Sequence, residues 1–186
     1  SQTSTTSAGL TPENPFYFFD KITEALQELL AFTPDAKVKL QLAFAAERVA
    51  EAKAMLATPG DHKEGLDVIH SSIVKNVQKT SEVIKKEKEA GNDVSKLAKE
   101  ANDELDDEES ELNKILAESH KEIVEKKIES FKKLLEDARE AKDAVRESDA
   151  EKGLREMQQV AQDLKDQKEL IKKSFHEEKK EIEDQM

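Results

Sequence analysis

The chain has 186 residues, 39% of them charged and only 4% aromatic, with five glycines, four prolines and neither cysteine nor tryptophan. A formal net charge of −12 argues against nucleic acid and anionic lipid as partners, since both require basic surface. No stretch approaches the ~20 apolar residues of a membrane span, and disulfide or thiol chemistry is excluded.

Residues 1–10, SQTSTTSAGL, hold nothing to pack and read as a flexible leader, expected to be the tether behind a removed signal peptide or anchor. Asn14 and Pro15 then carry a cap-and-proline start for a first helix over 15–31. Its expected apolar face is Phe18, Ile22, Ala25, Leu26, Leu29 and Leu30. The aromatics at 16–19 are expected to plug one end of a hairpin. Thr33 and Pro34 repeat the start signal and open a second helix, 34–57. Val38, Leu42, Ala45, Val49, Ala52 and Leu56 line it, and its small alanines allow close approach by a neighbour.

Asp61 to Glu64 has capping-box spacing and opens a third helix to about Ala90, with Leu66, Ile69, Ile73, Val77, Thr80 and Ile84 as its stripe. Gly91 supplies a left-handed stop, and Asn92 or Asp93 the next cap. No Gly or Pro follows until Gly153, so the spacing predicts a fourth helix over 93–147, on the order of 80 Å long. Its seam runs through Val94, Ala98, Ala101, Leu105, Glu108, Leu112 and Ile115/Leu116, then turns 4-4-4 through His120, Val124 and Ile128, the mark of a stutter, before it returns to Phe131, Leu135, Ala138 and Val145. Ser148 to Glu151 forms a full capping box and opens a fifth helix. That helix carries Leu154, Met157, Ala161, Leu164, Lys168, Ile171, Phe175, Glu178 and Ile182 at 3-4 spacing.

The expected fold class is therefore all-α: an elongated antiparallel helical bundle or coiled coil of about five helices, with a central helix of roughly 50 residues. Its parts are the leader (1–10), an N-terminal hairpin (11–59) and long helices continuous with it (60–186). The third helix should fold back along the first half of the fourth, and the fifth along its second half.

The stretch GLTPENPFYFFDKITEALQELLAFTPDAKVKLQLAFAAERVAEAKAML, residues 9–56, resembles a family of exported bacterial and archaeal proteins known only as a domain of unknown function. Gly9, Pro12, Pro15, Tyr17, Asp20, Glu24, Phe32, Pro34, Lys37, Ala46, Glu47, Arg48, Glu51 and Ala52 carry the resemblance. It implies an exported protein, and it brings no enzyme activity.

Arg48 sits between Glu47 and Glu51 and could hold a ligand, but its expected role is to pair with Asp20 or Glu24 and fix the hairpin's register. Tyr17 is expected to be a plug tethered through its hydroxyl. Asp103, Asp106, Asp107 and Glu111 recur at i,i+3 and i,i+4, a pattern that can share Ca²⁺, yet no glycine-bearing loop accompanies them and a solvated face is expected. The histidines at 62, 70, 120 and 176 lack metal-ligand spacing. His120, within the stutter, is expected to be a partly exposed seam residue. Glu108, Lys168 and Glu178 interrupt apolar seams and are expected to set register or leave a groove.

No catalytic, cofactor or metal site is expected. The functional expectation is a non-catalytic extracytoplasmic spacer or protein-interaction arm at the cell envelope, with a protein partner, no nucleic acid and no membrane insertion. A ligand or cation sensor and a periplasmic chaperone-like binder are the alternatives. Oligomeric state is not specified.

Overall fold

The structure, a computed structural model, describes residues 11–14, 17–58, 62–119 and 124–186. Among them are six helices and no strand: α1 (Tyr17–Leu30), α2 (Pro34–Leu56), α3 (Lys63–Glu89), α4 (Ser95–Ser119), α5 (Lys126–Glu140) and α6 (Ala144–Glu183). The all-α expectation is met. The leader, Pro15 and Phe16, and the side chains of Phe18, Phe19, Asp20 and Ile22 lie outside the described residues, and with them most of the expected aromatic plug.

Local chemistry sets several helix ends. Thr33 accepts the Ala36 N–H on Oγ1 at 3.1 Å, with Pro34 in the first turn where its missing N–H costs nothing. Gly91 adopts φ 87°, so that its N–H reaches the Lys88 carbonyl and the Asn92 N–H the Glu87 carbonyl, which closes α3 in a Schellman motif. Asp93 Oδ1 accepts the Ser95 N–H at 3.0 Å and starts α4. Asp61 lies outside the described residues, and His62 precedes α3 without a side-chain cap.

The expected 93–147 helix is described as α4 and α5, with residues 120–123, His120 among them, outside the description. Val124 and Glu125 adopt a π-helical turn next to that gap. α5 then stops at Glu140, earlier than expected. Lys142 takes the left-handed conformation at φ 55°, the Asp143 N–H bonds the Ala138 carbonyl at 2.9 Å, and the Lys142 N–H bonds that of Arg139 at 3.2 Å. This is the same Schellman geometry as at Gly91, built without glycine. Asp143 caps α6 by accepting the Arg146 N–H, so Ser148 to Glu151 lies inside α6, the longest described helix at 40 residues.

Packing meets one expected pairing, α6 antiparallel to α5, the second half of the expected fourth helix, and corrects the other, α3 along α4. α2, α3, α6 and α4 form a ring in which each packs on two neighbours, and α3 touches α4 only sparsely, across the diagonal. Side-chain bonds fix the directions. Asp67–Gln167, His70–Ser174, Gln78–Glu178 and Ser81–Glu181 keep a near-constant separation, so α3 and α6 run parallel and in register. Arg139–Glu147, Phe131–Gly153 and Lys179–Asp106 instead place α6 antiparallel to α5 and α4 along its whole length. One core, from Val38 through Ile69, Ile73, Leu105 and Leu112 to Phe175 and Ile182, fills the ring. Each such buried side chain contributes about 1.5–3 kcal/mol.

Beyond the ring, the first half of α6 pairs with α5, whose only buried residue is Ala138. These two helices form an arm.

Candidate functional site

The most developed polar centre lies where α1 meets α2. Arg48 is completely buried, on the α2 side that faces α1. Its Nη1 lies 2.5 Å from the Tyr17 hydroxyl. Nη2 lies 2.7 Å from Glu24, 2.8 Å from Glu51 and 3.3 Å from Glu47. The guanidinium also stands 5.6 Å from the Tyr17 ring centroid, a cation–π distance. The expected pairing with Glu24 and the tethering of Tyr17 are thus both present.

One guanidinium faces three carboxylates, and burial decides how they share it. Desolvation works to lower the Arg48 pKa, but Glu51, Tyr17, Glu24 and Glu47 outweigh it and the net shift is upward. Burial pushes the fully enclosed Glu51 up to about 8, against the pull of Arg48 and Lys21. Burial thus favours the protonated form of Glu51, while Glu24 and Glu47, less enclosed, also face the cation. Glu51 lies within ion-pair distance of Nη2, but neither of its carboxyl oxygens has a hydrogen-bond partner among the described residues. An arginine so enclosed offers no approach to substrate. It is a lock between two helices.

The same interface continues through polar groups. Glu28 accepts from Gln41 at 3.1 Å and from Lys79 at 2.5 Å. Burial works to raise the Glu28 pKa, and these two bonds together with the charges of Lys79 and Lys75 lower it overall. α1 is thus held by its polar side, whereas Leu26, Leu29 and Leu30, expected to face inward, stand exposed. That inversion is the largest departure from the expected pattern.

The other candidates do not assemble a site. Asp103, Asp106 and Asp107 are exposed, and lysines answer the run: Lys99 on Asp103, Lys179 on Asp106 and Glu109, Lys53 on Glu111. Among the described residues no three His, Asp or Glu groups are placed to hold a metal. Glu108 is half-buried on α4, and desolvation, with help from Glu104, Asp107 and Glu111, raises its pKa to about 7. Glu178 accepts from Gln78 across the α3–α6 seam, and Lys168 is half-buried, so both sit at seam edges.

Two features were missed. His62, at the far end of the ring, places Nδ1 2.8 Å from Glu13 and Nε2 2.8 Å from the Thr58 carbonyl, tying the segment before α1 to the α2–α3 turn. Beside it, Leu56, Leu66, Val160 and Leu164 help line a cavity of about 30 Å³, room for little more than one water. Second, Asn76, Thr80, Ser81 and Gln167 are buried along the α3–α6 seam. The lone signal for that polar seam was Thr80 within an otherwise apolar stripe.

A family model described as "Domain of unknown function (DUF5667)" matches residues 9–115, extending through α3 and most of α4. No curated protein and no solved structure matches significantly.

Proposed function

We propose, from the premise that this chain belongs to the DUF5667 family, that it is a non-catalytic helical spacer or protein-interaction arm of the cell envelope. The observation that carries the proposal is the two-helix arm. α6 completes the ring with its second half and, with its first, pairs with α5 to project outward. Fifteen residues of α5 extend it by about 22 Å. The arm exposes Leu134 and Val145, large apolar side chains that a partner can cover.

Support for the envelope comes from the export that the family resemblance of residues 9–56 implies. The absence of a catalytic assignment rests on the polar groups themselves: Arg48 is enclosed, Asp103 and Asp106 are paired with lysines, and the shallow pocket that Asp103, Glu104 and Asp107 line on α4 brings no histidine or hydroxyl nucleophile against them among the described residues.

A photo-crosslinking residue in place of Leu134 or Val145, followed by cell fractionation, tests this. Adducts with a protein in the envelope fraction are expected. Retention in the cytoplasm, or adducts absent from both positions, would refute the proposal.

A further inference from the structure

We infer that the outward face of α1 is a homodimer interface, with a second copy of this chain as its occupant. α1 is an amphipathic helix mounted the wrong way round. Two of its carboxylates point inward, Glu24 to Arg48 and Lys21, Glu28 to Lys79 and Gln41. The leucines of α1 point out: Leu26 is 56% exposed, Leu29 73%, Leu30 70%, and the adjoining Phe32 80%. These are the most concentrated exposed large apolar residues among those described, and they recur at i+3 and i+4, the ridge that packs into a helix groove.

Charge argues for a copy over a lipid surface. Two chains of net charge −12 repel one another over most of their surfaces. At α1 they need not. Lys21, Arg48 and Lys79 pair with Glu24, Glu28 and Glu47, so the described carboxylates of α1 are answered by cations in the layer behind the apolar stripe. An interfacial membrane helix places Lys or Arg on an exposed polar face. Here Lys21, the one basic residue of α1, is partly buried and paired with Glu24.

Area argues the same way. Taking about 200 Å² for a whole residue of this size, the four side chains expose roughly 560 Å². A two-fold pairing of the same patch then buries about 1,100 Å², just above the ~1,000 Å² that a specific interface requires. Such an area suits micromolar association. The patch lies at the end of the ring opposite the arm, since α1 finishes beside Gln41 and Lys79 whereas the arm leaves near His62 and Ser119. The interface thus leaves the arm free.

Sedimentation equilibrium of the full chain tests the inference, with Leu29→Lys/Leu30→Lys as the variant. Both positions are exposed, so helicity by circular dichroism should be unchanged. Wild type should approach twice the monomer mass by about 300 μM, where a micromolar interface is saturated, and the variant should stay monomeric. In this cysteine-free chain Leu29→Cys should cross-link to itself on oxidation, and Leu134→Cys, on the arm, should not. A wild type that remains monomeric at that concentration overturns the inference, as does a dimer that survives the double substitution. Flotation of monomeric wild type, lost in the variant, with vesicles of zwitterionic or anionic lipid would assign the face to membrane and overturn it equally.

Discussion

Replacing Gly153 with alanine should destabilise the arm, although the same change in an ordinary helix stabilises it. A mid-helix glycine costs about 1 kcal/mol relative to alanine, so propensity alone favours the substitution by that amount. Against it stands Phe131 of α5. A Cβ on Gly153 would lie 2.5 Å from the ring's Cζ and 2.8 Å from Cδ1, with Cε1 closer still, far inside van der Waals contact. Overpacking of this kind costs about 1–3 kcal/mol. The net expectation is a loss of up to about 2 kcal/mol, confined to the arm because α5 packs on α6. Hydrogen exchange of the α5 amides reads it directly, each 1.4 kcal/mol appearing as a tenfold faster exchange. The decisive measurement repeats the change in a Phe131→Ala background. With the ring gone, Gly153→Ala should slow exchange. The same sign in both backgrounds would refute close ring-to-backbone contact as the reason for glycine here.

Lys142→Gly should raise stability by about 1 kcal/mol, because the left-handed turn between α5 and α6 strains any residue with a Cβ; urea denaturation that finds it neutral or harmful would contradict that. Glu51 yields a pH effect with a definite sign. Its carboxyl titrates at about 8 folded and near 4.5 unfolded. Between those values the unfolded chain releases a proton the folded one keeps, so stability is full below pH 4.5 and falls toward pH 8. Glu51→Gln should remove that part of the slope and overtake wild type at alkaline pH. Parallel curves for the two proteins would show the side chain to be ionised in the fold.

Much of the fold could be read from the chain alone where one residue's own chemistry suffices. Thr33 with Pro34, and Gly91 with Asp93, place helix boundaries through bonds spanning three to six residues, and such bonds form whatever else is nearby. Buried positions such as Ile69, Ile73, Leu105, Ile171 and Phe175 were equally legible, because 3-4 spacing marks one side of a helix. In the candidate site, the i,i+3 placement of Arg48 and Glu51 and the offer of Glu24 were visible too.

What periodicity cannot express is which stripe meets which. α3 and α4 carry compatible stripes, yet the tertiary structure pairs α3 in parallel with α6 and sets α4 across the diagonal, a choice made jointly by four helices and by bonds such as Asp67–Gln167. The α5–α6 turn was illegible because Lys142 adopts a conformation that its side chain disfavours, held there by carbonyls of the helix it ends. The orientation of α1 was decided in three dimensions as well. A buried guanidinium on α2 needs partners more than Leu26, Leu29 and Leu30 need cover, since an unpaired internal charge costs several kcal/mol and an exposed leucine less. Local bonds and apolar spacing therefore determined the helices, whereas competition between desolvated charge and apolar surface determined how they face one another.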